Sequence, residues 1–286
     1  MPKSVENAIM DSFELVKDNY AKFLLIYLVM AAVSAIILLI FVVVVLLGLG
    51  GSVTLRSVAP LAGAVLIGII ILFLISPIWT GVYYSMALQA LGSRRASVFD
   101  AVGAAKKNYA GLLLTMFLQT IIYLVIYAII FSPLVKPVLA VVRGFGGVGG
   151  AGLSALAGPI LKLLLIGVLV LVGFLVATFI LMPLLYEAVP LVMLENLGSV
   201  EAIKRSVELG KGNFWKLVWL VTVFWFAVGM AYFAEWIVAA IFGVLGHAIG
   251  VIASVALSLL VAAFVVAWSY ALQIVFYKEF ISNKKS

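Results

Sequence analysis

Lys211-Gly212-Asn213-Phe214-Trp215-Lys216-Leu217-Val218-Trp219-Leu220-Val221-Thr222-Val223-Phe224 joins two kinds of helix at one asparagine. Before it, Val200, Ile203 and Val207 recur at helical spacing, opposite Glu201, Lys204, Arg205, Glu208 and Lys211. That is an amphipathic helix. After it the residues are apolar on every side for well over five turns, and about 20 such residues cross a hydrocarbon core of roughly 30 Å. Inside lipid the backbone must satisfy its own hydrogen bonds, so such a block is a helix or part of a closed barrel. Barrel strands alternate polar and apolar residues; this block does not, so it is read as a membrane-spanning helix.

The same unit occurs elsewhere in the chain. Ala8, Ile9, Ser12, Glu14, Leu15, Lys17, Asn19 and Lys22 match Ala202, Ile203, Ser206, Glu208, Leu209, Lys211, Asn213 and Lys216 at a constant offset of 194. Lys-x-Asn-aromatic occurs three times, at Lys17 to Tyr20, Lys106 to Tyr109 and Lys211 to Phe214, each time before an apolar block. Alternate blocks match as well: Pro77, Leu88, Leu91, Gly92 and Ser93 pair with Pro183, Leu194, Leu197, Gly198 and Ser199 at an offset of 106. Apolar blocks lie at about 21–48, 61–91, 110–133, 160–194, 214–245 and 249–278. The reading is an all-α integral membrane protein, with six transmembrane helices in three parallel pseudo-repeats, each preceded by a cytoplasmic interfacial amphipathic helix. One transmembrane domain covers 1–286, with repeats at about 3–92, 93–198 and 199–286. The third repeat is divergent, with Val266 at the level of Pro77 and Pro183.

Composition agrees. The 286 residues are 66% hydrophobic and 10% charged, against roughly 25% charged in a soluble domain, and mean hydropathy is +1.33. Fourteen of the 18 Lys and Arg residues fall on the side of the amphipathic segments; Arg56, Lys136, Arg143 and Lys162 fall on the other. Basic loops stay inside, so both termini are expected in the cytoplasm of a multi-pass plasma-membrane protein. The same clustering accounts for the net charge of +7 without nucleic acid. The acidic first 20 residues do not read as a signal peptide. There are no cysteines, which removes disulfides and thiolate chemistry.

Pro190-Leu191-Val192-Met193-Leu194-Glu195-Asn196-Leu197-Gly198-Ser199, with the Lys204-Arg205-Ser206 and Lys211-Gly212-Asn213-Phe214-Trp215 stretches after it, resembles a signature of a prokaryotic six-helix membrane protein family. That family is related to the membrane domain of glycerophosphoryl diester phosphodiesterases. The resemblance implies a six-helix fold and a lipid setting. It supplies no catalytic residue, since hydrolysis in the fused enzymes belongs to a separate soluble domain. Three two-span repeats with prolines also resemble mitochondrial carriers. Carriers, however, place a charge two residues after the proline, where this chain has Trp79 and Leu185.

Candidate sites are few. Lys17, Lys106 and Lys211 are placed to contact lipid phosphate, and Asn19, Asn108 and Asn213 form a repeated structural corner. Glu187, between Pro183 and Pro190, is an ionisable group within a span, where two prolines free backbone carbonyls. A neighbouring lysine near the cytoplasmic interface would neutralise it. Gln119 and Gln273 are mid-span amides suited to bonds between helices, and with Glu187 make a candidate intramembrane polar site. Tyr83, Tyr84 and Tyr186 read as belt residues, and Glu235 as interfacial. His247 is the one histidine and suits neither a metal site nor a triad. Gly144, Gly146 and Gly149 match a dinucleotide spacing without its strand or acid, so residues 136–159 read as a flexible or re-entrant linker. No catalytic, metal or cofactor residue is expected. The expected function is non-enzymatic binding, organising or moving of lipids or other apolar molecules. The alternatives are a small-molecule transporter with a site near Glu187 and an accessory subunit of another membrane protein.

Overall fold

The computed structural model describes residues 5–49, 58–93, 96–146, 154–244 and 247–281. Among them every regular element is a helix: α1 (Val5–Asp18), α2 (Tyr20–Leu49), α3 (Val58–Ser93), α4 (Val98–Lys107), α5 (Tyr109–Phe131), α6 (Val135–Gly146), α7 (Ser154–Leu185), α8 (Ala188–Leu194), α9 (Ser199–Gly212), α10 (Phe214–Val244) and α11 (His247–Phe280). A 3-10 turn, Ser132–Leu134, links α5 to α6. Six helical segments are long and apolar enough to cross a membrane: Tyr20–Ile40, Val65–Gly92, Tyr109–Val142, Ile160–Leu194, Phe214–Val238 and Ser254–Phe280. The all-α, six-span expectation therefore holds, and the chain is a multi-pass membrane protein. Lys3, Arg56, Arg94, Arg95, Gly149, Gly246, Lys284 and Lys285 lie outside the described residues.

Single asparagines join α1 to α2, α4 to α5 and α9 to α10. Each closes one helix and opens the next. The Asn19 amide donates to the Leu15 carbonyl (3.1 Å), that of Asn108 to Ala104 (3.0 Å), and that of Asn213 to Leu209 (3.2 Å). Their own carbonyls accept from Phe23 (3.3 Å), Leu112 (2.9 Å) and Leu217 (3.0 Å). A short side-chain amide is what lets one residue serve the last carbonyls of one helix without leaving the ladder open. These three asparagines mark what we call the corner end of the bundle.

Around the bundle α2, α3, α5, α7, α10 and α11 follow in order, and α11 packs back on α2. The short helices dock on the even spans: α1 on α11, α4 on α3, and α9 on α7 and α8. Two of them dock lengthwise on their spans. Ser97, Ala105 and Tyr109 meet Gln89, Gly81 and Leu74 in turn, so α4 runs back lengthwise along α3. Likewise Ser12 and Tyr20 meet Trp268 and Leu260, so α1 runs along α11. In α9 the buried face differs from the expected one: Ala202, Ser206, Leu209 and Gly210 are buried, while Val200 is 54% exposed. In α1 the buried residues are Ala8, Ser12, Leu15 and Val16. Small residues take the protein-facing side because they let helix axes approach closely. The larger apolar residues are left on the flank.

Residues 136–159 are not a linker throughout: α6 occupies most of the first half, and α7 begins at Ser154. The prolines of the spans behave as their chemistry dictates. Pro77 sits inside α3 and cannot donate to the Phe73 carbonyl; Ser76 Oγ donates to it instead (2.8 Å). Pro183 and Pro190 flank a complete break, with α7 ending at Leu185 and α8 starting at Ala188. Asn196 then takes a left-handed φ of 52° to turn the chain into α9.

Among the described residues the most buried packing lies at one end. Phe23, Tyr83, Met86, Leu112, Leu191, Leu217, Leu272 and Phe276 form the buried core towards the corner end. Farther out, Val65, Leu66, Ile67, Ile69, Ile70, Ile71 and Leu72 of α3 are each 38–59% exposed. Seven of eight consecutive residues span every direction around a helix, so this stretch of α3 is only partly covered by protein on each side.

Candidate functional site

Where α3 passes from its exposed stretch into the core, an open cleft of about 320 Å³ lies between α3, α5, α8 and α11. Thr80 and Tyr84 of α3, Met116, Gln119, Thr120 and Tyr123 of α5, Val189 of α8, and Ser269, Tyr270 and Gln273 of α11 line it. Its polar groups form links between helices. Tyr84 Oη donates to Gln273 Oε1, Gln273 also reaches Tyr186, and Thr80 and Tyr270 hydroxyls lie 3.4 Å apart. Tyr83 stacks on Tyr270 with ring centroids 5.0 Å apart, and Phe23 stacks on the other side of Tyr83 at 6.1 Å. Tyr83 and Tyr84 are thus buried inside the protein and do not belong to a belt at the lipid surface.

The carbonyls exposed by the α7–α8 break are taken up in turn. Ser206 Oγ donates to Leu184 O (2.9 Å), and Gln119 Nε2 to Leu185 O (3.3 Å). Gly111 and Gln119 mark how α5 runs along this region. A Cβ on Gly111 would lie 3.0 Å from Val192 Cγ1, and eight residues on, Gln119 meets Leu185. Thr115 lies midway along that line and is fully buried, its hydroxyl without a hydrogen-bond partner.

Glu187 occupies the break itself. It is 1% exposed, and neither carboxylate oxygen has a hydrogen-bond partner. Among the described residues no charged side chain takes the place of the lysine expected beside it, and the influence on it is burial. Tyr84, Tyr186 and Tyr277 lie within electrostatic reach. Arg205, the basic residue of this region, is engaged with Glu208 (3.3 Å) and Glu195 (3.9 Å), and Tyr277 donates to Glu195. Glu187, Gln119 and Gln273 therefore gather around one region of the interior.

Other candidates lie apart. Lys17, Lys106 and Lys211 are all exposed, in the last turns of α1, α4 and α9. Glu235 accepts from Ser258 Oγ, tying α10 to α11. His247 opens α11. Among the described residues no cluster of His, Cys, Asp and Glu could hold a metal ion. Residue-by-residue reading overlooked Tyr270 and Tyr277. Their spacing with Gln273 is i, i+3, i+7, a polar stripe on an otherwise apolar helix, and that signal could have found them.

No curated protein and no solved structure matches the chain. A family described as a domain of unknown function, DUF7847, matches residues 55–280, most of the sequence and every part of the cleft lining. On that match the protein belongs to the DUF7847 family.

Proposed function

We propose that the chain is a non-enzymatic membrane protein that binds, organises or moves lipids or other apolar molecules. The observation that carries this is the stretch Val65–Leu72, apolar and partly exposed around the helix. An apolar surface of this kind is covered in a bilayer by acyl chains, and the cleft at Thr80 and Tyr84 begins eight residues farther along the same helix. The family resemblance read from residues 190–216, related to the membrane domain of glycerophosphoryl diester phosphodiesterases, points to the same lipid setting.

In this reading the three asparagine-centred units are parallel pseudo-repeats about an axis along the membrane normal. Each unit's amphipathic helix docks on the even span of the unit before it, and α1 closes the ring on α11. The corner end faces the cytoplasm with both termini, in the plasma membrane. Lys17, Lys106 and Lys211 ring that end at headgroup depth, where each basic residue contributes about 1 kcal/mol towards an anionic surface. The exposed Val200 flank of α9 meets the same surface.

Native mass spectrometry of the detergent-purified chain tests the reading. Specific lipids should remain bound, and changing Lys17, Lys106 and Lys211 together to Glu should shift retention away from anionic species. Retention of no lipid by the folded wild type would refute it. For the topology, a tag after Ser286 should be labelled only in permeabilised cells.

A further inference from the structure

The cleft between α3, α5, α8 and α11 lies deep in the spans. Gln119 is ten residues from the start of its span at Tyr109, Tyr270 ten from the end of its own at Phe280, and Thr80 twelve from Gly92. At about 1.5 Å per residue these are depths of roughly 15–18 Å, about half of a ~30 Å hydrocarbon core. Eight of the ten residues lining the cleft carry a side-chain hydroxyl or amide, and none is charged. The groove between α7 and α10 is the contrast: of its nine lining residues, Thr178 and Thr222 alone carry such a group. Polar side chains at this depth are rare, so their gathering in one open cleft sets the chemistry of what fills it.

Several of the hydroxyl protons are already committed. Thr120 Oγ1 donates to the Met116 carbonyl (2.7 Å), Ser269 Oγ to the Val266 carbonyl (2.7 Å), and Tyr84 Oη to Gln273 Oε1. A hydroxyl has one proton and two lone pairs, so these three oxygens meet an occupant as acceptors. Gln119 works the other way. Its Nε2 donates to the Leu185 carbonyl (3.3 Å), and an amide nitrogen has a second proton to give. The occupant that suits this lining both donates and accepts, and carries no charge. A hydroxyl does so. A phosphodiester or an ester carbonyl only accepts, and an ionic head would lie at this depth without a counter-charge.

Size and surroundings add a tail. About 320 Å³ is the lower end of the usual range for ligand sites, about 300–1,000 Å³, so the cleft takes a head and leaves a long chain outside. Leu72, the near end of the apolar stretch Val65–Leu72, is eight residues from Thr80, roughly 12 Å along α3. Water shares the chemistry of the head and has nothing to lay on that stretch.

We propose that the cleft binds the hydroxyl head of an uncharged lipid, a long-chain alcohol or a diacylglycerol, with the chain along Val65–Leu72. This rests on the reading of the protein as a lipid binder, and it adds which lipid is selected and where.

The test uses the full chain in phosphatidylcholine nanodiscs and a long-chain alcohol bearing a diazirine near its hydroxyl, with labelled sites read by peptide mass spectrometry. Labels should concentrate around Thr80, Thr120 and Ser269. Oleyl alcohol or dioleoylglycerol should compete, the better competitor giving the number of chains. Oleyl methyl ether, which lacks the donor, and oleate, which is charged, should compete at least tenfold less well. Thr120→Val together with Ser269→Ala removes two acceptors that bond only within their own helices, and should lower labelling of the cleft at least tenfold. Labelling spread evenly over the spans, as expected if water alone fills the cleft, overturns the proposal. So does equal competition by the ether, or undiminished labelling of the double variant. None of these results touches the wider lipid reading, which fails instead if the folded wild type retains no lipid in native mass spectrometry.

Discussion

Gly210 of α9 lies against Leu184 of α7 so closely that a Cβ built on Gly210 would stand 2.7 Å from Leu184 Cα and 2.8 Å from the Pro183 carbonyl oxygen. The neighbours are backbone atoms of the turn that precedes Glu187 and cannot swing aside. Gly210→Ala should therefore destabilise by about 1–3 kcal/mol, the usual cost of an overpacked contact. Gly103, in the middle of α4 with open space around its Cβ position, provides the contrast. Gly103→Ala should stabilise by up to about 1 kcal/mol through helix propensity. Thermal unfolding in one detergent compares the two; equal midpoints would mean that α9 is not seated on α7 as described.

Asn19 and Asn213 are buried and donate to carbonyls four residues back, while Asn108 does the same from a half-buried position. Asn→Asp replaces the donor with an acceptor that faces a carbonyl. The expected loss is about 1–3 kcal/mol at Asn19 and Asn213, and less at Asn108, where water can reach the unpaired group. Unfolding midpoints of the three single variants give the ranking, and an equal effect at all three sites contradicts it.

Trp268 Nε1 donates to Ser12 Oγ at 2.9 Å, and Phe13 meets the same indole edge-on at 5.7 Å. Ser12→Ala leaves a buried N–H without an acceptor, a loss of about 1–3 kcal/mol. The effect should be local, because α1 is the element that this bond holds to α11. Hydrogen exchange should show faster opening of α1 with α5 and α7 unchanged.

Glu187 is buried with neither carboxyl oxygen hydrogen-bonded. Glu187→Gln removes, at nearly constant volume, a group that can ionise there only at a cost, and at alkaline pH it should stabilise the fold by an amount on the order of 1–3 kcal/mol. A lower unfolding midpoint for the variant at that pH would show that the carboxyl has a stabilising partner after all.

Much of the local plan was legible in the residues. The apolar blocks and the three Lys-x-Asn-aromatic stretches located the spans and their corners, since a span's hydrogen bonds close within its own segment. Pro183 and Pro190 announced the break at Glu187 for the same reason. The neutralising lysine was a different matter. That none of the described residues supplies it depends on contacts between distant segments, whose separations, such as that of Tyr84 from Gln273, run to nearly 190 residues. Tyr83 shows the same limit: a tyrosine near a span's end suits a belt or a core, and only its stacking on Tyr270 decides between them.

By itself, then, the sequence determined six helical spans, their asparagine corners and the broken fourth span, because each of these follows from hydrogen bonds and hydrophobicity within a few turns of chain. The tertiary structure alone decided that α1 closes the ring on α11, that α4 runs back along α3, that the buried core of the described residues gathers towards the corner end, and that Glu187 is sealed in without a hydrogen-bond partner. Those outcomes depend on which small faces meet across the bundle, and contacts between distant segments leave no periodic trace in the segments themselves.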